Sequence, residues 1–104
     1  MRSRILLEQW LGRGVAFHEN MTAPKRIVYV LQSIQFPDRF YVGLASDVES
    51  RLTVHNSGGS RHTAGLRPWE LVTTIQFRDE QGAVDFERYL KTGSGRAFAK
   101  RHFV

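Results

Sequence analysis

Residues 27–56 read IVYVLQSIQFPDRFYVGLASDVESRLTVHN, and this stretch decides the fold. Ile27–Gln32 and Arg39–Leu44 are both β-branched and aromatic runs, so each reads as a strand. Pro37-Asp38 between them is a turn signal, and the short separation predicts an antiparallel hairpin. Successive side chains on a strand point to opposite faces. Ile27, Tyr29 and Leu31 therefore share one face, and Val28 and Val30 share the other. In the second strand Tyr41 shares its face with Arg39 and Gly43, while Phe40 and Val42 point the opposite way. If Val28, Val30, Phe40 and Val42 face a common core, Tyr29 and Tyr41 emerge together on the far side. Ser46-Asp47-Val48-Glu49 then has capping-box spacing, with the Ser46 hydroxyl accepting from the third helical N–H and Glu49 reaching back. The helix is expected to run to about His55. Val48 and Leu52 form its buried stripe, and Arg51 and His55 lie one turn apart on an adjoining face.

Outward from this stretch the pattern stays legible. Residues 57–68, SGGSRHTAGLRP, are Gly- and Ser-rich and read as a long functional loop carrying Arg61, His62 and Arg67. Asn56 before it can cap the helix C-terminus or hold a phosphate. Trp69–Phe77 is a third strand, with Trp69 as a core anchor. Asp79 reads as an N-cap for a helix from about Glu80 to Lys91. Thr92-Gly93-Ser94-Gly95 is expected to break the chain before a last basic helix, Arg96–His102. The order is β-β-α-β-α-α, which predicts an α+β (mixed α/β) domain over residues 25–104, a three-stranded antiparallel sheet flanked by helices. Residues 1–24 read as a loosely ordered N-terminal extension. Ile5, Leu6, Leu7, Trp10 and Leu11 give it a short amphipathic helix, and no small-residue cleavage site marks a signal peptide.

Composition narrows the function classes. With 104 residues, one domain is expected. Cysteine is absent, which excludes disulfides and thiolate metal sites. No apolar run approaches the ~18 residues of a membrane span. A cytoplasmic location is the default expectation. Fifteen Lys and Arg against ten Asp and Glu give a net charge of +5, and Arg dominates. Arginine's planar fork suits phosphate oxygens, so the balance fits a nucleic-acid partner. The excess is spread along the chain rather than gathered in a tail.

One residue is out of pattern. Ala83, Phe86 and Leu90 occupy i, i+3 and i+7 of a helical stripe, and position i+4 is Glu87. A carboxylate turned towards a core needs a partner: an arginine, a cluster of donors or a metal ion. The plain alternative is that Glu87 sits at the stripe's edge and pairs with Lys91 one turn on. Plain alternatives exist for the others too. Tyr29 can be a packing residue, Arg51 a solvated charge or a partner of Asp47, and His55 a surface histidine.

Taken in order, Tyr29, Tyr41-x-Gly43, Arg51, His55 and Glu87 resemble the GIY-YIG nuclease superfamily. Ile27-Val28-Tyr29 stands where that family has GIY, and Tyr41-Val42-Gly43 where it has YIG. His55-Asn56, the Gly/Ser loop, Arg67-Pro68-Trp69 and Phe86-Glu87 resemble the small stand-alone bacterial members. The chain is similar also to the N-terminal domain of the excinuclease C family. Ile27 departs from the motif's first glycine, which is treated as a variation in strand packing.

The resemblance implies a Mg²⁺-assisted endonuclease on DNA, with Mn²⁺ as a substitute metal and RNA as a second candidate partner. It implies a part in DNA repair or processing. Tyr41 or Tyr29 would receive the proton from the attacking water. Arg51 would bind the scissile phosphate, Glu87 would hold the metal, and His55 would assist the proton relay. Phosphodiester hydrolysis builds charge on phosphate and leaving oxygens, which a metal and an arginine stabilise. A phenol, with a reference pKa of about 10, needs such neighbours to act as a base at pH 7. Arg61, His62, Arg67, Lys91, Arg96, Lys100 and Arg101 are the expected phosphate contacts. A domain this small would take its specificity from DNA shape or from a partner protein. Two competing readings are a nucleic-acid-binding module of the same fold that cuts poorly, and a protein-interaction domain. Zinc chemistry is disfavoured, because His55 and His62 lack a third ligand at suitable spacing.

Overall fold

The first strand, β1 (Ile27–Ser33), runs through the centre of the molecule because its side chains are apolar on both faces. Val28 and Leu31 are fully buried although they point to opposite sides. A computed structural model describes residues 23–103, so the helix expected around Ile5–Leu11 and residues 1–22 of the expected extension lie outside the described residues. On one side β1 pairs antiparallel with β2 (Phe40–Ala45), and on the other with β3 (Trp69–Gln76). The sheet order is β2-β1-β3. The helices are α1 (Val48–Ser57), α2 (Glu80–Leu90) and α3 (Gly93–His102). This is the expected α+β architecture in the expected order.

Two cores form, one on each face of the sheet. Ile27, Tyr29, Leu31, Ala45, Val48 and Trp69 pack together on the face that α1 covers, with Tyr41, Leu52, Leu66 and Leu71 against them. Val28, Val30, Ala83 and Leu90 form the second core under α2 and α3, sealed by Phe86, Phe98 and Phe103. The alternation read along the hairpin therefore separates the faces correctly, and both tyrosines lie on the α1 face. Phe40 departs from the expectation that it would join the Val28/Val30 core. It opens the edge strand β2 and remains 40% exposed.

Three further local readings need correction. The cap of α1 is Asp47 rather than Ser46: its carboxylate accepts from the Ser50 N–H at 3.3 Å and from the Ser50 hydroxyl at 2.9 Å. Asp is as good an N-cap as Ser, and the extra acceptor holds two groups at once. The loop after α1 is not structureless. It contains a 3₁₀ turn (Ala64–Leu66), and Leu66 O accepts from the Ser33 hydroxyl at 2.6 Å. Finally, Thr92 to Gly95 start a helix instead of breaking the chain. The Thr92 hydroxyl accepts from the Gly95 N–H at 3.1 Å and so caps α3.

Gly95 is required by close approach. A Cβ there would collide with the Tyr89 carbonyl oxygen and lie 2.6 Å from Leu90 Cα, both backbone of the preceding helix. Asp79 caps α2 as its sequence position implies, accepting from Gly82 N–H at 2.8 Å. Among the described residues no helix is long and apolar enough to cross a membrane. The α2–α3 corner is thus tight, and Gly95→Ala is expected to destabilise the domain by about 1–3 kcal/mol, the usual range for overpacking. Urea unfolding should show a lower midpoint with an unchanged slope, and an unchanged midpoint would contradict the close approach.

Candidate active site

The site is built around Tyr29. Antiparallel register places Tyr29 opposite Gly43 and Leu31 opposite Tyr41. The Tyr29 ring lies across Gly43, where a Cβ would sit 2.5 Å from the phenol oxygen. The glycine of the Tyr41-x-Gly43 motif thus gives the neighbouring strand's tyrosine its space. Tyr29 is 1% exposed, and its hydroxyl meets His55 Nε2 at 3.0 Å.

His55 comes from the third turn of α1 and is fully buried. It is not the surface histidine of the plain reading. Its Nδ1 meets the Thr63 hydroxyl at 2.8 Å. Thr63 is itself buried, and its carbonyl accepts from the Trp69 indole N–H at 3.0 Å. Burial first, and then the nearby Arg51 charge, lower the His55 pKa to about 4, so the imidazole is neutral at pH 7. Two residues before Arg51, Glu49 is buried, and burial followed by the Asp47 charge raises its carboxyl pKa.

Tyr41 completes the cluster. Its ring centroid is 4.6 Å from that of His55 and 6.2 Å from that of Tyr29. Unlike Tyr29 it is only half-buried. Arg51, also half-buried on α1, supplies the positive charge that His55 senses. Tyr29, Tyr41, Arg51 and His55 are therefore gathered on one sheet face. Asn56, by contrast, is structural. Its side chain donates to Trp69 O at 3.1 Å and accepts from Trp69 N–H at 2.6 Å, pinning the start of β3.

Glu87 approaches from the other layer. It lies on α2, whose core face packs against Val28 and Val30, and its half-buried carboxylate forms an ion pair with Lys91. Lys91 lines a groove of about 730 Å³ together with Arg39, Phe40, Tyr41, Arg96 and Lys100. Val30, Val42, Leu90 and Ala99 also line it, so the groove lies on the α2 and α3 face of the sheet, with Tyr41 among its lining residues on the edge strand β2. Arg39 was not among the expected phosphate contacts, although strand alternation already set it on the Tyr41 face. Arg101 is exposed elsewhere on α3. Arg61 and His62 are exposed on the loop beside buried Thr63. The Arg67 guanidinium lies over Gly58 at the C-terminal end of α1, where a cation suits the helix dipole.

Among the described residues, no three His, Asp or Glu side chains cluster as a ready-made metal cage. A Mg²⁺ ion does not require one. It commonly binds one or two carboxylates and keeps waters and substrate phosphate oxygens as its remaining ligands. Glu87 fits that donor set once Lys91 turns to another anion.

The site is thus a phenol–imidazole–arginine cluster on a small α+β scaffold, and comparison with known proteins places the domain in a family. The family model described as the GIY-YIG catalytic domain matches residues 25–101. The chain belongs to the GIY-YIG family. It is 35% identical over 71 residues to "Structure-specific endonuclease subunit SLX1" of Debaryomyces hansenii, a match covering 62% of this chain and 20% of that protein. It is 32% identical over 68 residues to a "UPF0213 protein" of Streptococcus pneumoniae, covering 64% of this chain and 67% of that one. A UPF0213 protein of Lactococcus lactis is 34% identical over 64 residues, covering 61% of this chain and 63% of its own length. The chain thus spans about a fifth of the first of these relatives. No solved structure matches it.

Two outcomes follow from the buried pair. Because folding lowers the His55 pKa, the unfolded chain takes up a proton near pH 6.5 that the folded one refuses until about pH 4. The stability due to neutral His55 is therefore complete above pH 6.5 and is lost as pH falls towards 4, by about 3 kcal/mol. Glu49, with its raised pKa, runs in the opposite direction. Urea unfolding across this range, wild type against His55→Asn, isolates the imidazole. Equal slopes for the two proteins would contradict its burial as a neutral group. Gly43→Ala should displace the Tyr29 phenol and destabilise the fold by about 1–3 kcal/mol, because the added Cβ would overlap a buried ring. A wild-type midpoint in Gly43→Ala would show that the ring is not confined.

Proposed function

We propose that this protein is a metal-assisted endonuclease that hydrolyses DNA phosphodiester bonds. The observation that carries the reading is the gathering of Tyr29, Tyr41, Arg51 and His55 on one face, with one phenol buried and the other only half-buried. The openness of Tyr41 favours it over Tyr29 as the phenol that takes the proton from attacking water. Tyr29 serves instead to hold His55. Arg51 binds the scissile phosphate and stabilises the charge that builds on it. Neutral His55 supports the face of Tyr41 without adding a second positive charge. Glu87 would hold a single Mg²⁺, or Mn²⁺ in its place, which supplies Lewis-acid stabilisation of the phosphate and the leaving oxygen.

The basic groove at the β2 edge suits a polynucleotide backbone. Arg39, Lys91, Arg96 and Lys100 line it, and Arg61 and His62 stand on the loop by the site. Contacts of this kind position a strand without reading its bases. The name of the Debaryomyces hansenii relative supports selection by DNA structure, and its word "subunit" supports a partner protein that supplies further specificity. DNA repair or processing is the corresponding role. The second reading, a nucleic-acid-binding module that cuts poorly, is favoured by the Glu87–Lys91 ion pair, which already satisfies the carboxylate. Ile27 stands where the family motif has its first glycine. That side chain is buried in the α1-face core and so acts in packing.

The test is cleavage of plasmid, single-stranded, flap, fork and four-way-junction DNA with and without Mg²⁺. Wild type is expected to cut only with the metal. Glu87→Ala should abolish cutting, and Arg51→Ala should slow it by about 10²-fold or more, while both still bind DNA with a steep salt dependence. Salt-sensitive binding with no cutting of any substrate would establish the binding module instead.

A further inference from the structure

Thr63 has no place in the reading above, yet it touches the one buried imidazole of the site. We propose that Thr63 is a positioning residue whose hydroxyl accepts from His55 Nδ1–H, and so fixes the histidine tautomer that presents a bare Nε2 to Tyr29. This inference rests on the nuclease reading only for its effect on cleavage; the tautomer itself is independent of it.

The argument is one of proton inventory. Neutral His55 has one N–H and one lone pair, and it lies between two hydroxyls: Tyr29 at 3.0 Å from Nε2 and Thr63 at 2.8 Å from Nδ1. One hydroxyl must donate and the other accept. A phenol is a far stronger acid than an aliphatic alcohol, and its oxygen is the weaker acceptor because its lone pair is shared with the ring. Tyr29 is therefore the donor to Nε2, and Thr63 the acceptor from Nδ1–H. The Thr63 proton has its own outlet, since its hydroxyl faces Ser60 O at 3.4 Å. Proton donation then runs in one direction along the row, from Tyr29 to His55 to Thr63 to Ser60 O.

Position as well as protonation depends on this row. Thr63 is 1% exposed, its N–H donates to Ser60 O at 3.2 Å, and its carbonyl holds the Trp69 indole. Its hydroxyl is therefore a fixed point. It sets the plane of the imidazole, which the Tyr41 ring meets at an interplanar angle of 56° with centroids 4.6 Å apart. Outer partners that orient metal-ligating histidines are commonly worth about ten- to a hundredfold, and a similar scale is expected where the histidine orients a phenol instead. Thr63 acts through His55 and does not itself meet the reacting atoms.

The experiment reads the His55 ring nitrogens by ¹⁵N NMR at pH 7 in the metal-free, DNA-free protein, for wild type, Thr63→Ser and Thr63→Val. Wild type and the Ser variant should both show the proton on Nδ1. The Val variant, lacking any acceptor there, should move it to Nε2 and reverse the hydrogen bond to Tyr29. In cleavage assays the Val variant should lose about ten- to a hundredfold in kcat with KM little changed, and the Ser variant should recover it. A wild-type protein carrying the proton on Nε2 would overturn the assignment even if Thr63→Val fails to fold. Full kcat in a folded Val variant would overturn the positioning role. An Nδ1 proton in wild type that moves in Thr63→Val, with no cleavage by any of the three proteins, would uphold the tautomer assignment and sink the nuclease reading alone.

Discussion

The hydrogen bond between Tyr29 and His55 is the constraint on which the rest of the site depends. It joins the central strand to the first helix inside a dry core, where neither group could find water in its place. A buried polar pair left half-satisfied would cost more than an apolar one, so everything around it serves to complete it. Gly43 gives the ring its room. Thr63 takes the far nitrogen. Trp69 holds Thr63, and Asn56 holds Trp69 by a two-way backbone clamp. The loop between α1 and β3 is long because it must return Thr63 beneath the helix it has just left.

Electrostatics follow from the same burial. A charged imidazole in that position would face Arg51 as well as a desolvated core, and both effects push its proton off. Arg51 thus remains the positive charge of the tyrosine cluster. The basic residues of the groove lie elsewhere, just before β2, at the C-cap of α2 and on α3, and they are exposed. The positive charge of the groove therefore resides on the surface, where salt screens it, whereas the Arg51 guanidinium beside His55 is half-buried.

How much of this was legible in the sequence depended on periodicity. The hairpin, the faces of its side chains and the Asp79 cap were readable because strand alternation and capping are local rules. Glu87 stood out because a carboxylate broke an otherwise apolar stripe, and it is indeed half-buried with a partner. Ser46 and Asp47 are both good caps in adjacent positions, and only the backbone angles select Asp47. The break expected at Thr92 to Gly95 failed because glycine was read as flexibility, whereas Gly95 answers a steric demand from Tyr89 in another helix. Thr63 gave no signal at all. It lies in a loop without periodicity, and its partner is eight residues away on a helix whose facing direction the loop itself determines. Arg39 lies just before β2, and nothing local showed that it would line a groove with residues of α3.

The two-layered arrangement has a consequence for how the domain can be divided. The tyrosines, histidine and arginine come from the hairpin and α1 on one face of the sheet, while Glu87 and much of the basic groove come from helices packed on the other. The two sets meet only around the edge of β2. No contiguous fragment of the chain short of the closed sandwich therefore contains both sets. A shortened chain would lose one core or the other, and two separately made halves would have to rebuild both cores to bring the two sets of side chains together.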